Sequence, residues 1–351
     1  MLFRSVLIFM LFGSFFGMFE ELVTLLPIIV LAMLSMNMDT MMGLGACLLA
    51  ACFGFSAAIT NPFSVGLASQ VAGYPMSSGV WLRLVFFALT YVTLCGFLML
   101  YYRRIKKNPA LSLTYAQDEE RRVVLQTQEP PRNIDENKTF RVYSVFFFVQ
   151  AAVLVLVASV RAISDLAIPI LAVSFLISGI VCGLLVCEQK KQVARYIGQG
   201  VVSMLPAVFI IAMASSAKLI MAESGIIDTV MHWVITLLEG KNPFVAILLV
   251  YFLILFLQTF IGSASAKILL VMPIVMPITT ALGLSPSLVI LAYCMADGFT
   301  DVILPTNPVL LIGLSMANVS YGKWVKWTWK LQAFVFLLTI GILFFGVAIG
   351  Y

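Results

Sequence analysis

Four groups of residues in this 351-residue sequence have the types and spacing to do chemistry. The tripeptide Thr-Asn-Pro occurs twice inside strongly apolar sequence, as Thr60-Asn61-Pro62 and Thr306-Asn307-Pro308. Pro removes a backbone donor and clashes with the preceding turn, so Pro62 and Pro308 predict two interrupted helices. Such breaks free backbone carbonyls that can ligate a cation, and the Asn and Thr side chains add further oxygens. Lys267 ends the stretch GSASAK. A Lys at the centre of a bilayer costs about 3 kcal/mol on insertion scales, so it requires a partner: a substrate carboxylate, an acidic side chain or backbone. Asp297 and Asp301 are four apart and share a face if helical, immediately before the second break, where a cation could neutralise them. Glu20 and Glu21 could hold a cationic substrate group or a proton, or pair with Lys267. A different chemistry is open to Ser263, Ser265 and Lys267, since a desolvated Lys can activate a Ser in a membrane hydrolase. His232 is the only histidine and the six cysteines have no metal-ligand spacing, which excludes a His-based triad or metal site and leaves no expected cofactor.

The elements that must position these groups are membrane helices. The chain is 62% hydrophobic and 11% charged, with mean hydropathy +1.07, against about a quarter charged in soluble domains. The net charge of +5 resides between apolar segments and points to no nucleic-acid partner. The N-terminal apolar run lacks a small-residue cleavage site and is read as structural. Residues 2–12 are too short to span a bilayer, which needs about 20 helical residues. They reach GSFFGMFEE and return as LVTLLPIIVLAML, the pattern of a re-entrant hairpin. Residues 244–260, the tip IGSASAK and the return ILLVMPIVMPI repeat it. Spans are predicted over 80–102, 142–160, 166–186, 200–221 and 324–351. The hydrophilic stretch 103–141 reads as a solvated loop, placed in the cytoplasm by its basic start, with Tyr351 outside.

A shift of 246 residues superposes the two tripeptides, Pro27 on Pro273, Ala46 on Ala292, Ala50 on Ala296 and Phe53 on Phe299. The crossing count inserts the two copies with opposite orientation. Inverted repeats with discontinuous helices are the mark of secondary transporters, whose substrate and ion sites lie at the repeat interface. The expected fold is therefore an all-α polytopic membrane protein with inverted repeats, two re-entrant hairpins and two discontinuous helices. Its divisions are 1–102, a first repeat; 103–140, the hydrophilic loop; and 141–351, the second repeat. The scaffold spans of the second repeat have no counterparts in the first. The first repeat is thus expected to be N-terminally incomplete, its apolar arms facing lipid or empty space, with a natural reading frame that extends upstream by three spans.

The stretches FGMFEELVTLLPII, GFSAAITNPFSVGLASQVAGYPMSSGVWLRL, GSASAKILLVMPI and DGFTDVILPTNPVLLIGLSMANVSYGKWVKW resemble the YfcC-like branch of the anaerobic C4-dicarboxylate carrier family, allied to arginine/ornithine antiporters within the ion-transporter superfamily. The resemblance covers nearly the whole chain. It implies two hairpins and two broken helices around a substrate site, and marks Gly17, Met18, Glu20, Glu21, Thr60, Asn61, Pro62, Ser263, Ser265, Lys267, Asp297, Gly298, Thr306 and Asn307. The second break reads PTNP where the family pattern is PTSG, and the family's chains carry a longer N-terminal region. The expected function is secondary active transport of a small carboxylate-bearing solute, an amino acid or dicarboxylate, by exchange or by coupling to Na+ or H+. The protein would sit in the bacterial inner membrane, as a homodimer. The substrate set is then Gly17, Met18, Glu20, Glu21, Asn61, Ser263, Ser265, Lys267 and Asn307, and the ion set Thr60, Asn61, Asp297, Asp301, Thr306 and Asn307. The alternatives are an inactive fragment of such a carrier or the Ser/Lys hydrolase.

Overall fold

The structure, a computed structural model, describes residues 2–127, 136–159, 167–187, 190–238 and 240–351. These residues form helices and no strands. The helices are α1 (Leu2–Phe16), α2 (Glu21–Ser35), α3 (Thr40–Ser56), α4 (62–72), α5 (Val80–Lys107), α6 (Tyr115–Thr127), α7 (Glu136–Ser159) and α8 (Ala167–Val186). They continue as α9 (Lys190–Glu223), α10 (Ile226–Leu238), α11 (Pro243–Gln258), α12 (Ala264–Ala281), α13 (Pro286–Phe299), α14 (Pro308–Ala317) and α15 (Tyr321–Ala348).

At the centre stand α3 and α13. Every residue of α3 is buried, and so is α13 from Ser287 to Phe299. A helix apolar on all sides demands that position. Helices α1 and α11 pack on them, followed by α5, α12 and α15. Three described helices, α5, α12 and α15, are long and apolar enough to cross a membrane. On α5 and α15 the outward residues are themselves apolar, with Val92, Leu100 and Leu337 all more than half exposed, which suits lipid and not water.

The Asn-Pro and Ser-Pro pairs start helices. Asn61, Asn242, Ser285 and Asn307 each cap a helix through the side-chain oxygen, with Pro at the first helical position, where its missing N–H costs nothing. The directions of the two central helices are opposite. Asp39 and Thr40, at the start of α3, bond Ser112 and Asp118 just beyond the C-terminal end of α5. Ser285, at the start of α13, bonds the Tyr351 carbonyl, and the Tyr351 phenol bonds the Gly79 carbonyl at the N-terminal end of α5. So α3 and α13 run antiparallel and meet where Ser56 Oγ donates to the Met295 carbonyl at 3.2 Å. A Cβ on Gly298 would lie 2.3 Å from the Ser56 nitrogen, so this crossing exists because residue 298 is glycine.

Three expectations need correction. The stretch 103–141 is largely helical instead of a solvated loop: α5 runs through Lys107, α6 follows, and α7 begins at Glu136. Helix α6 docks because Asp118, Arg121 and Arg122, spaced i, i+3, i+4, share one face and find partners on the bundle. Asp118 accepts from the Thr40 amide and hydroxyl at 2.9 and 2.5 Å, and Arg121 donates to Thr40 Oγ1 at 3.1 Å and to the Ala317 carbonyl at 2.9 Å. The span expected over 200–221 begins ten residues earlier, at Lys190. The first apolar arm is not bare: Val6, Phe9 and Met10 of α1 are buried, the first two turns against α3. The loop tip 128–135 and the expected turn at 160–166 lie outside the described residues.

Candidate functional site

The two interruptions, residues 57–61 and 300–307, lie on either side of the crossing at Ser56 and Gly298. In the first, the freed backbone is met by the end of α1. Ser14 Oγ donates to the Ala57 carbonyl at 2.6 Å and accepts from the Ile59 amide at 3.1 Å; the Ser14 carbonyl accepts from Ile59 at 3.1 Å and Thr60 at 3.3 Å. Arg83, near the start of α5, donates to the Ile59 carbonyl at 2.7 Å. The Ala57 and Ile59 carbonyls, of the kind expected to ligate a cation, thus already have protein donors, since unmet backbone groups in a membrane interior are costly to leave open. Asn61 is fully buried; its Oδ1 accepts from the Phe63 amide at 2.8 Å, and its Nδ2 has no partner. The tip Gly17 sits directly against it: φ is +70°, and a Cβ there would lie 2.3 Å from Asn61 Oδ1. Ser64, also fully buried, makes no hydrogen bond of good geometry and faces the Cys294 thiol, which Arg83 also approaches.

In the second interruption the breaks in the backbone are met by α15. Trp324 Nε1 donates to the Val302 carbonyl at 2.6 Å and Tyr321 Oη to the Ile303 carbonyl at 2.5 Å. Asp301 Oδ1 accepts from Gln258 Nε2 at 2.5 Å, at the end of α11, and from Asn307 Nδ2 at 2.9 Å; Asn307 Oδ1 accepts from the Val309 amide at 2.9 Å. Lys267 is fully buried and paired with Asp297 Oδ1. The Tyr293 ring flanks the ammonium at 5.9 Å, and its hydroxyl donates to the Ala264 carbonyl at 2.7 Å. Asp297 Oδ2 and Gln258 Oε1 have no partner. Two buried carboxylates therefore face one ammonium, leaving one negative charge that a proton or a cation must balance in so apolar a place.

The expected residues divide. Gly17, Asn61 and Pro62 come together at the first interruption, and Lys267, Asp297, Asp301, Asn307 and Pro308 at the second. The partner of Lys267 is Asp297 and neither glutamate. Glu20 is exposed, and Glu21 has a buried oxygen, Oε2, with no partner. Met18 is buried in the core. Thr60 Oγ1 bonds the Phe15 carbonyl at 3.3 Å, and Thr306 lies half-buried in the turn. Ser263 is exposed and caps α12 through the Ala266 amide at 3.3 Å, with Ser265 half-buried behind it. Lys267 bonds neither serine, so the dyad of the hydrolase reading is not formed. Among the described residues no cluster of three His, Cys, Asp or Glu could hold a metal ion. Sequence reasoning missed Ser14, Arg83, Gln258, Tyr321 and Trp324. The signal for Arg83 and Gln258 was there: Arg83 is the lone polar residue of WLRLVFF, and Gln258 interrupts the apolar run VAILLVYFLILFLQ.

Comparison with known proteins supplies a family and a fold. The sequence pattern of the C4-dicarboxylate anaerobic carrier family (DcuC) matches residues 1–348. YfcC of Escherichia coli K12, provisionally named a basic amino acid antiporter, is 27% identical over 362 residues, covering 98% of this chain and 69% of its own. An uncharacterized protein of Haemophilus influenzae Rd is 27% identical over 320 residues, covering 90% of this chain and 61% of its own. In fold, the chain is similar over its whole length to the YdaH transporter of Alcanivorax borkumensis, with a TM-score of 0.54, 18% identity and 79% of that chain covered.

Proposed function

This chain belongs to the C4-dicarboxylate anaerobic carrier family, a family of membrane transporters and not of enzymes, and on that premise we propose that it is a secondary active carrier of a small carboxylate-bearing solute, an amino acid or a dicarboxylate. Movement is by exchange or is coupled to Na+ or H+. The observation that carries this reading is the pair of antiparallel, interrupted, buried helices that touch at Ser56 and Gly298, with a second buried carboxylate, Asp301, near the Lys267–Asp297 pair at one interruption. A chain that only needed to be stable in a membrane would run both helices through, since each interruption frees backbone groups that other residues must then satisfy.

The coupling cation belongs at the second interruption, where Asp297, Asp301 and Gln258 offer oxygens; the buried pair with Lys267 holds one carboxylate while the other is free to take a proton or Na+. The opposite directions of α3 and α13 support two inverted repeats, 1–102 and 141–351. The short arms α1 and α11 support re-entrant hairpins with tips at Gly17 and Ser263. Residues 103–140 belong in the cytoplasm by their basic character, the protein in the inner membrane, and a homodimer would cover part of the apolar exterior. Acidic groups beside the site favour a substrate that also bears an amino group.

Reconstitution of the purified chain in proteoliposomes tests the reading. Labelled ornithine and succinate are offered separately under an imposed Na+ gradient, an imposed pH gradient, or with unlabelled solute inside. Accumulation of one of them that follows a gradient or the internal solute is expected. Equal leak of both under every condition would end the reading.

A further inference from the structure

The register of the repeat poses a question about Asn61. Asn307, its counterpart, uses Oδ1 to cap a helix and donates Nδ2 to the Asp301 carboxylate. Asn61 uses Oδ1 in the same way, so its Nδ2 is fixed in orientation, but the position matching Asp301 under the 246-residue shift is Phe55. The amide therefore points, fully buried, at no acceptor. Leaving such a donor unmet costs about 1–3 kcal/mol. Three residues on is the buried hydroxyl of Ser64, with only a thiol before it, and the guanidinium of Arg83 reaches the Ile59 carbonyl two residues before Asn61. Arg83 is 3% exposed and forms no ion pair with a described residue. Its hydrogen bonds go to the carbonyls of Ile59, Met76 and Ser78. Two of those carbonyls belong to the loop 73–79, which is exposed at Met76 and is bounded by Gly73 and Gly79, both with positive φ. That loop can yield its two hydrogen bonds without disturbing the bond from Arg83 to the interruption.

We propose that Asn61 Nδ2, Ser64 Oγ and Arg83 form an anion subsite that takes the substrate's carboxylate. The ligand supplies at the first interruption the acceptor that Asp301 supplies at the second, and it balances the charge of Arg83. Lys267 is unsuited to this role because Asp297 already neutralises it. This inference rests on the carrier reading above and assigns the residues that recognise its substrate.

The test is binding of L-ornithine, succinate and putrescine to the purified full-length chain in detergent, by calorimetry. Putrescine is ornithine without its carboxylate. Asn61→Asp keeps the capping oxygen and replaces the donor with a charge that repels an anion. The wild type is expected to bind ornithine or succinate and to bind putrescine at least roughly tenfold more weakly; Asn61→Asp and Arg83→Gln should each lose roughly tenfold or more in carboxylate affinity, and Arg83→Lys less. If Arg83→Gln fails to fold, Asn61→Asp decides, since its melting temperature should stay close to wild type. Wild-type affinity in Asn61→Asp, or putrescine binding as tight as ornithine, overturns the subsite while leaving a carrier. A wild-type chain that binds neither carboxylate overturns the subsite and the carboxylate-carrier reading together.

Discussion

The two interruptions share a tripeptide, a capping geometry and a following helix that sends donors to the broken backbone, yet they are opposite in polarity. At 57–61 the unmet groups are an amide N–H and a hydroxyl, and the nearby charge is the guanidinium of Arg83. At 300–307 the unmet groups are acceptors, Asp297 Oδ2 and Gln258 Oε1, the donors to the backbone are the neutral indole of Trp324 and phenol of Tyr321, and two buried carboxylates stand near one ammonium. Six residues before each Asn stands the residue that makes the difference, Phe55 before Asn61 and Asp301 before Asn307. Under the 246-residue shift the two interruptions thus differ in polarity at a single aligned position, and the proposed subsite rests on that difference.

The comparison can be broken at several points, read as unfolding of the purified protein in detergent. Lys267→Met leaves Asp297 buried without a cation and should cost about 3–5 kcal/mol, with much of it regained in the double variant Lys267→Met, Asp297→Leu. A single variant as stable as wild type would mean the second interruption is not charged. Asn307→Ala removes a cap and a bond to a carboxylate, about 2–3 kcal/mol together, whereas Asn61→Ala removes only the cap, about 1 kcal/mol. Equal losses at the two positions would erase the distinction between them. Gly298→Ala must push the crossing apart and should cost about 1–3 kcal/mol; Gly341→Ala on α15, where no atom lies within 4 Å of a new Cβ, should be neutral or slightly stabilising. Thr60→Ala loses one exposed 3.3 Å bond and should change stability by about 0.5 kcal/mol, and the binding of ornithine or succinate not at all.

Much of the frame was legible because hydropathy and Asn-Pro are local signals. The interruptions stand at both tripeptides, and Gly17 lies against Asn61. The partner of Lys267 was not legible. Asp297 and the two glutamates are equivalent in sequence as acids at membrane depth, and only the packing of α12 against α13 chooses between them. The backbone donors were missed for a related reason: Ser14 and Trp324 look like ordinary residues of a membrane helix until the carbonyls of Ala57 and Val302 are brought to them. Helix α6 was hidden by its hydrophilicity, since its burial is local to Asp118 and the arginines, not to an apolar stripe.

Gly13 and Gly54 place α1 and α3 in backbone contact. A Cβ on Gly54 would lie 2.1 Å from the Met10 carbonyl oxygen, and one on Gly13 would lie 2.2 Å from that of Ala51. Small residues that let helices touch are a common device of membrane proteins. With no layer of side chains between them, these two helices have nothing to slide on and must travel as one rigid body. Any rearrangement of this half then carries α1 and α3 together, along with the residues 57–60 that Ser14 ties to α1.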